Sequence, residues 1–181
     1  MKLIIKKLIV CLLFSNYITS QELIIGSERV EPGIIFVFEG AIKDYVYPLN
    51  YSFSEDQSDL HIEARVNWDE TNIPEGTPGG GFVPYLKINA IVTNQRTSIK
   101  SFIDLVPHIN LIDNFHYARN ISLPGSIDDK YQVEFFINNP GNGDLLYHKD
   151  WLNNYSESLI LNKSFIYKDI SFSEIARLKR R

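Results

Sequence analysis

Residues 59–66 read Asp-Leu-His-Ile-Glu-Ala-Arg-Val, and this stretch decides the fold that the sequence predicts. Apolar and polar side chains alternate strictly along it, which is the period of a β-strand with one buried face. The polar face carries His61 and Glu63, which lie about 6 to 7 Å apart along such a strand. Side chains at that spacing can reach one ion, so the stretch predicts a strand and part of a metal site.

Similar runs of β-branched and aromatic residues follow along the chain, separated by turn clusters such as Asn139-Pro140-Gly141. The further strands that these runs predict cover residues 34–39, 82–92, 98–106, 130–138 and 159–172. Turn signals recur about every 8 to 12 residues, and no long helical period interrupts them. The pattern therefore predicts an all-β protein, and more specifically an immunoglobulin-like antiparallel β-sandwich.

Residues 1–20 predict a secretory signal peptide. Basic residues (Lys2, Lys6 and Lys7) accompany an apolar run that is too short to span a membrane, and the segment ends at Ser20. Residues 21–181 then form a single domain. Cys11 is the sole cysteine of the sequence and leaves with the signal, so we expect no disulfide, zinc–thiolate site or cysteine nucleophile in the processed chain.

The chain is acidic. Its formal net charge is −4, and it becomes −7 without the three lysines of the signal, because no acidic residue precedes position 21. Proteins that bind nucleic acids are normally basic, so we expect no nucleic-acid partner. An acidic balance suits a protein that binds cations, although it also serves solubility.

The sequence contains four histidines, and we expect all of them in one metal site together with Glu63. They are His61, His108, His116 and His148. Imidazole and carboxylate ligands suit Cu(II), Zn(II), Fe(II) or Mn(II). In the expected arrangement, a strand carries His61 and Glu63 while loops carry the other ligands. Two alternatives stay open: single histidines often serve only as surface or hydrogen-bonding residues, and Asp113 either orients an imidazole or stabilises a turn.

Three blocks, in this order, resemble the periplasmic iron-transport-associated metal-binding proteins, which are the copper- and iron-binding partners of bacterial ferrous-iron permeases. The blocks are DLHIEA (residues 59–64), GFVPYLKI (residues 81–88) and DNFHYARNI (residues 113–121). A further stretch, YQVEFFINNP (residues 131–140), is similar to the strand that leads to the family's last histidine. The resemblance extends over roughly residues 34 to 170.

The resemblance implies a ligand set. His61 and Glu63 match the family's first ligand strand, His116 its central histidine and His148 its last one. His108, which follows Pro107, takes the place where the family often has a methionine. An imidazole in place of a thioether favours divalent ions over Cu(I).

The resemblance also implies a function. A periplasmic protein of this family would form a homodimer with metal sites near the interface, bind Cu(II), iron or both, and work beside an inner-membrane iron permease. Zn(II) and Mn(II) also fit the ligands. No catalytic residue and no organic cofactor is expected.

Two other classes of function stay open. One is a metal-dependent oxidoreductase that acts on iron before transport, although the sequence shows no motif for a second redox centre. The other is an adhesion or binding sandwich with incidental histidines, which is favoured if His61, His116 and His148 do not converge.

Overall fold

The structure is a computed structural model that describes residues 22–180, so the expected signal peptide lies outside the described residues. Eight β-strands and two short α-helices form within this range. The strands are β1 Glu22–Val30, β2 Ile34–Ala41, β3 Leu60–Trp68, β4 Lys87–Asn94, β5 Lys100–Asn110, β6 Asn114–Ile121, β7 Lys130–Asn138 and β8 Lys163–Ser171, and the helices are α1 Lys149–Asn154 and α2 Ser173–Arg177. The predicted all-β antiparallel class is confirmed.

The strands form one antiparallel sheet in the order β1-β2-β3-β6-β5-β4-β7-β8. β5 joins its two halves, because it pairs with β4 up to Leu105 and with β6 from Val106 onward. The strand predicted over residues 98–106 stops just before Pro107. The strand instead continues through Pro107, directly after the exchange of partners.

The two halves of the sheet fold over a common apolar core. Phe38 of β2 stacks on Phe135 of β7 with 4.0 Å between ring centroids, although these strands are not neighbours in the sheet. Phe165 of β8 packs against the same cluster. Burial of these large aromatic rings is the main source of stability that such a fold has.

The strand predicted from residues 59–66 is β3, and its apolar face is buried as expected. Leu60, Ile62, Ala64 and Val66 have no exposed surface. The opposite face is also buried, since His61 and Glu63 are each only 4% exposed. The segment between β2 and β3 covers this polar face. The alternation within residues 59–66 could not predict this, because it depends on the path of another part of the chain.

The expected strand over residues 82–92 starts later than predicted, at Lys87. Tyr85 interrupts it with a left-handed backbone conformation (φ 69°). The buried Tyr117 hydroxyl holds this turn, because it donates to the Val83 carbonyl (2.9 Å) and accepts from the Leu86 amide (3.2 Å). The turn therefore depends on a residue of β6.

β1 is a strand that the sequence pattern did not predict. It is an edge strand with a bulge between Ile24 and Gly26, and its apolar residues do not alternate regularly.

Among residues 22–180, neither helix is long and apolar enough to cross a bilayer.

Replacement of Gly26 by alanine should destabilise the fold. An added Cβ would overlap the ring of Tyr167, whose hydroxyl donates to Glu28 (3.0 Å). Overpacking of this kind costs about 1–3 kcal/mol, which urea denaturation measures directly. In a Tyr167→Ala background the same substitution should cost much less, and an equal cost in both backgrounds would contradict this packing.

Candidate metal centre

The β5–β6 hairpin brings two histidines together. His108 of β5 lies directly opposite His116 of β6. Residues opposite each other on antiparallel strands point to the same face with Cβ atoms about 5 Å apart. The expectation that these histidines lie on loops is therefore wrong, because both belong to paired strands.

The turn of this hairpin is fixed by Asn110. Its side-chain oxygen accepts from the amides of Ile112 (2.8 Å) and Asp113 (2.6 Å), while its amide group donates to the Asp113 carboxylate (2.7 Å). Of the two roles considered for Asp113, the structure shows the turn-stabilising one. A fixed turn sets the register of the strands and with it the pairing of the two histidines.

His61 of β3 completes a cluster of three imidazoles. Its ring centroid lies 5.2 Å from that of His108 and 6.2 Å from that of His116, and the latter two are 5.8 Å apart. One ligand nitrogen from each ring lies within 4.8 Å of the others. Nitrogens about 2.1 Å from a tetrahedral ion lie about 3.4 Å from each other, so the rings must move closer together to bind one ion.

Glu63 adds a carboxylate to the cluster. Its Oε2 atom is 3.6 Å from Nε2 of His116, and both side chains are almost fully buried. A carboxylate at this distance from an imidazole can share an ion with it. Four of the five predicted ligands thus converge within one chain.

Asn120 orients the ring of His61. Its side-chain NH2 donates to the carbonyls of Asp44 (2.7 Å) and Phe53 (2.9 Å), which turns its oxygen toward Nδ1 of His61 at 2.8 Å. Because an oxygen accepts, Nδ1 of His61 carries the proton and Nε2 keeps a lone pair for a metal.

A backbone carbonyl orients His116 in the same way. Nδ1 of His116 lies 3.1 Å from the carbonyl oxygen of Asn114, the first residue of β6, whose φ of 60° is left-handed. The carbonyl accepts the Nδ1 proton, so Nε2 again remains available. Nε2 is also the atom that faces Glu63.

Burial keeps the histidines neutral. It lowers the pKa of His61 to about 4 and that of His108 to about 4, and the neighbouring imidazoles lower the latter pKa further. The pKa of His116 is also lowered by burial. Neutral imidazole is the form that binds metals, so these three rings are ready to bind at neutral pH.

Burial has the opposite effect on the acidic side chains. It raises the pKa of Glu63 to about 8, and the nearby Glu39 raises this pKa further. Glu39 pairs with Glu63 across β2 and β3 and is itself buried. Its Oε1 accepts from Arg65 (2.6 Å), whereas its Oε2 has no hydrogen-bond partner among residues 22–180. These carboxyl groups favour a cation at the cluster.

His148 lies elsewhere in the chain. It precedes α1, is exposed, and lines a second cavity that also contains Trp68 and Trp151. Trp68 is seven residues beyond His61 along β3, or about 20 Å away. The expectation that all four histidines meet within one chain is therefore not met, because His148 lies beside the last residue of β3, whereas His61 lies near the start of that strand.

The cluster opens into a cavity of about 430 Å³. Its other walls come from the segment between β2 and β3 and from the C-terminal tail. The former contributes Tyr45, Tyr47 and Tyr51, and the latter contributes Arg180, which pairs with Asp44 (2.7 Å).

Sequence reasoning gave no role to Asn120, Glu39 or Arg180. Asn120 belongs to the third block of the family resemblance, which was the one signal for it. Nothing in the local sequence marks Glu39 or Arg180, since their places depend on strand pairing and on the path of the tail.

These features define a β-sheet protein with a cluster of three histidines and one glutamate that could hold a metal ion. Residues 19–173 match the family model described as Fe2+ transport protein, so the chain belongs to that family.

Solved structures share the fold. A copper-bound variant of P19 from Campylobacter jejuni has a TM-score of 0.68 and 24% identity, over 82% of this chain and 96% of that one. A copper-bound variant of FetP from uropathogenic Escherichia coli strain F11 has a TM-score of 0.65 and 20% identity, over 83% of this chain and 98% of that one.

A curated relative is similar over part of its length. The 34 kDa membrane antigen of Treponema pallidum (strain Nichols) is 29% identical over 97 residues, which are 54% of this chain and 47% of the antigen. The chain thus matches about half the length of this relative.

Replacement of Asn120 by alanine should weaken metal binding without removing a ligand. The His61 ring would lose the acceptor that fixes its orientation and tautomer, a loss that typically costs 10- to 100-fold in affinity. Competition with a chromogenic chelator measures the affinity, and the exposed Asn153→Ala is the matched control. Equal affinities of Asn120→Ala and the wild type would show that the hydrogen bond does not position the ring.

Proposed function

We propose that this chain captures a copper or iron ion in the periplasm, as part of iron acquisition. The observation that carries the proposal is the convergence of three imidazole nitrogens, one each from β3, β5 and β6, within 4.8 Å beside a buried carboxylate. Membership of the Fe2+ transport protein family supports the link to iron. Convergence of His61, His108 and His116 also argues against incidental histidines.

The donor atoms favour divalent ions. Three nitrogens and one carboxylate oxygen suit Cu(II) and Fe(II), and they also accommodate Zn(II) or Mn(II). Copper is the ion in the two related structures, which supports Cu(II) as a ligand of this chain. His108 provides nitrogen where the resemblance led us to expect sulfur, which disfavours Cu(I).

A homodimer would give His148 a role. Since His148 is remote from the cluster of its own chain, it can act as a ligand only for a second copy. Exposed apolar side chains near the tip of the β5–β6 hairpin support the burial of this surface in a dimer; they are Ile109, Leu111, Ile112 and Phe115.

We further propose that the dimer passes its ion to an inner-membrane iron permease. We also propose that the fold is an immunoglobulin-like sandwich, because the two halves of the sheet face each other.

Metal analysis of the protein purified from its own cell envelope tests the function. The wild type should carry close to one copper or iron ion per chain, and His116→Ala should carry almost none, because it loses the central ligand. Asn153→Ala should match the wild type. An unchanged metal content in His116→Ala would refute the proposed site.

The same experiment tests His148. If His148 serves a second copy, His148→Ala also binds weakly, and a mixture with His116→Ala regains one tight site per mixed dimer. A mixture that regains no site would contradict the role in a second copy and leave the role of the three-histidine cluster intact.

The affinity for metal should fall with decreasing pH through the protonation of Glu63. At pH 5.5 and above, His61 and His108 are neutral because burial lowers their pKa values to about 4, and burial also lowers the pKa of His116, whereas Glu63, with a pKa of about 8, must release a proton to bind an ion. Loss of one proton predicts an affinity on the order of 100-fold lower at pH 5.5 than at pH 7.5. His61 and His108 bind protons only near pH 4, well below the usual range of histidine.

Calorimetric titrations with Zn(II) in two buffers of different ionisation enthalpy measure this proton release. About one proton per ion should be released at pH 6.5 by the wild type and about none by Glu63→Gln. Release of two or three protons would mean that the histidines, rather than Glu63, carry the pH dependence.

A further inference from the structure

A cationic side chain stands at the entrance to the candidate metal centre. Arg180, in the tail after α2, lines the same cavity as His61 and His108. Its Nη1 lies 2.7 Å from Oδ2 of Asp44, and its side chain remains 38% exposed. Asp44 engages Nη1, so the other N–H donors of the guanidinium can bind a further acidic ligand in the cavity.

The cavity has room for such a ligand. Its volume of about 430 Å³ far exceeds the roughly 30 Å³ that one water molecule occupies in the liquid. An ion bound by the three imidazoles and Glu63 therefore leaves space on the side of Arg180. Tyr45 and Tyr47 also line this cavity, and a tyrosine hydroxyl can donate a hydrogen bond to an anion.

The charges of the site also call for an anion. The three histidines bind as neutral rings and Glu63 supplies a single negative charge, so a divalent ion and these four ligands together carry one positive charge. The buried Glu39 beside them is paired with Arg65. Uncompensated charge is costly in a buried site. Arg180 and Asp44 neutralise each other and do not change this balance, whereas one monovalent anion restores neutrality.

We propose that the cavity binds a small carboxylate or bicarbonate anion together with the metal ion, and that Arg180 holds this anion. The inference rests on the metal site proposed above. A guanidinium presents five N–H donors in a planar fork that matches a carboxylate, and the pair with Asp44 engages Nη1. Asp44 occupies the place of the anion in part, and so competes with it.

Electron paramagnetic resonance of the Cu(II)-loaded protein tests the proposal. Titration with bicarbonate, and separately with acetate, should change the copper spectrum of the wild type at millimolar concentrations. Arg180→Gln should need at least tenfold more anion for the same change, and Arg180→Lys should fall between the two because it keeps the charge and loses the fork. Asp44→Asn should need less anion than the wild type.

Arg177→Gln is the matched control, since Arg177 belongs to the same C-terminal segment but pairs with Asp128, outside the cavity. It should respond like the wild type. If only bicarbonate or only acetate changes the copper spectrum, that result identifies which of the two kinds of anion the cavity binds. The inference would be overturned if the anion response is the same in Arg180→Gln as in the wild type, or if the wild type does not respond. Copper binding itself would stand in both cases. Failure of the protein to bind copper would overturn the proposed function as well.

Discussion

The pairing of β5 with β6 is the constraint on which the candidate site depends. It sets His108 opposite His116, and the side chain of Asn110 closes the turn that fixes this register. A slip of one residue would send one of the two histidines to the opposite face of the sheet. β3 then adds His61 and Glu63 from the other side of β6, so hydrogen-bonded strands, rather than flexible loops, hold the four donor groups.

Burial of this polar face determines its chemistry. The segment before β3 and the C-terminal tail cover the cluster, and the resulting loss of water lowers the pKa values of the histidines and raises that of Glu63. Hydrogen bonds from Nδ1 of His61 and of His116 leave Nε2 of each ring with a lone pair. The tautomers of His61 and His116 that a metal ion requires are therefore set by these hydrogen bonds.

Local pattern predicted much of this arrangement. The alternation in β3 correctly placed the apolar residues in the core and put His61 and Glu63 on one face, because strand geometry alone fixes both. The three sequence blocks that resemble the family predicted its identity correctly, since residues 19–173 match the family model. Pro107 illustrates the limit, since a proline usually ends a strand, yet β5 continues past it with a new partner.

The remaining features depend on contacts between distant parts of the chain. The cover over the polar face, the position of Arg180 beside Asp44 and the separation of His148 from the other histidines arise from the path of loops and tail. None of these has a periodic signal in the sequence. The shifted pKa values follow from that cover, so the reference value for histidine could not predict the pH range of binding.

The most direct test of the account is a crystal structure of the Cu(II)-loaded protein with an anomalous difference map at the copper edge. The account predicts one strong peak per chain, about 2 Å from the Nε2 atoms of His61 and His116 and from a ring nitrogen of His108, with Glu63 beside it. A peak at a site remote from these three histidines, or no ordered peak in a protein that binds copper in solution, would contradict it.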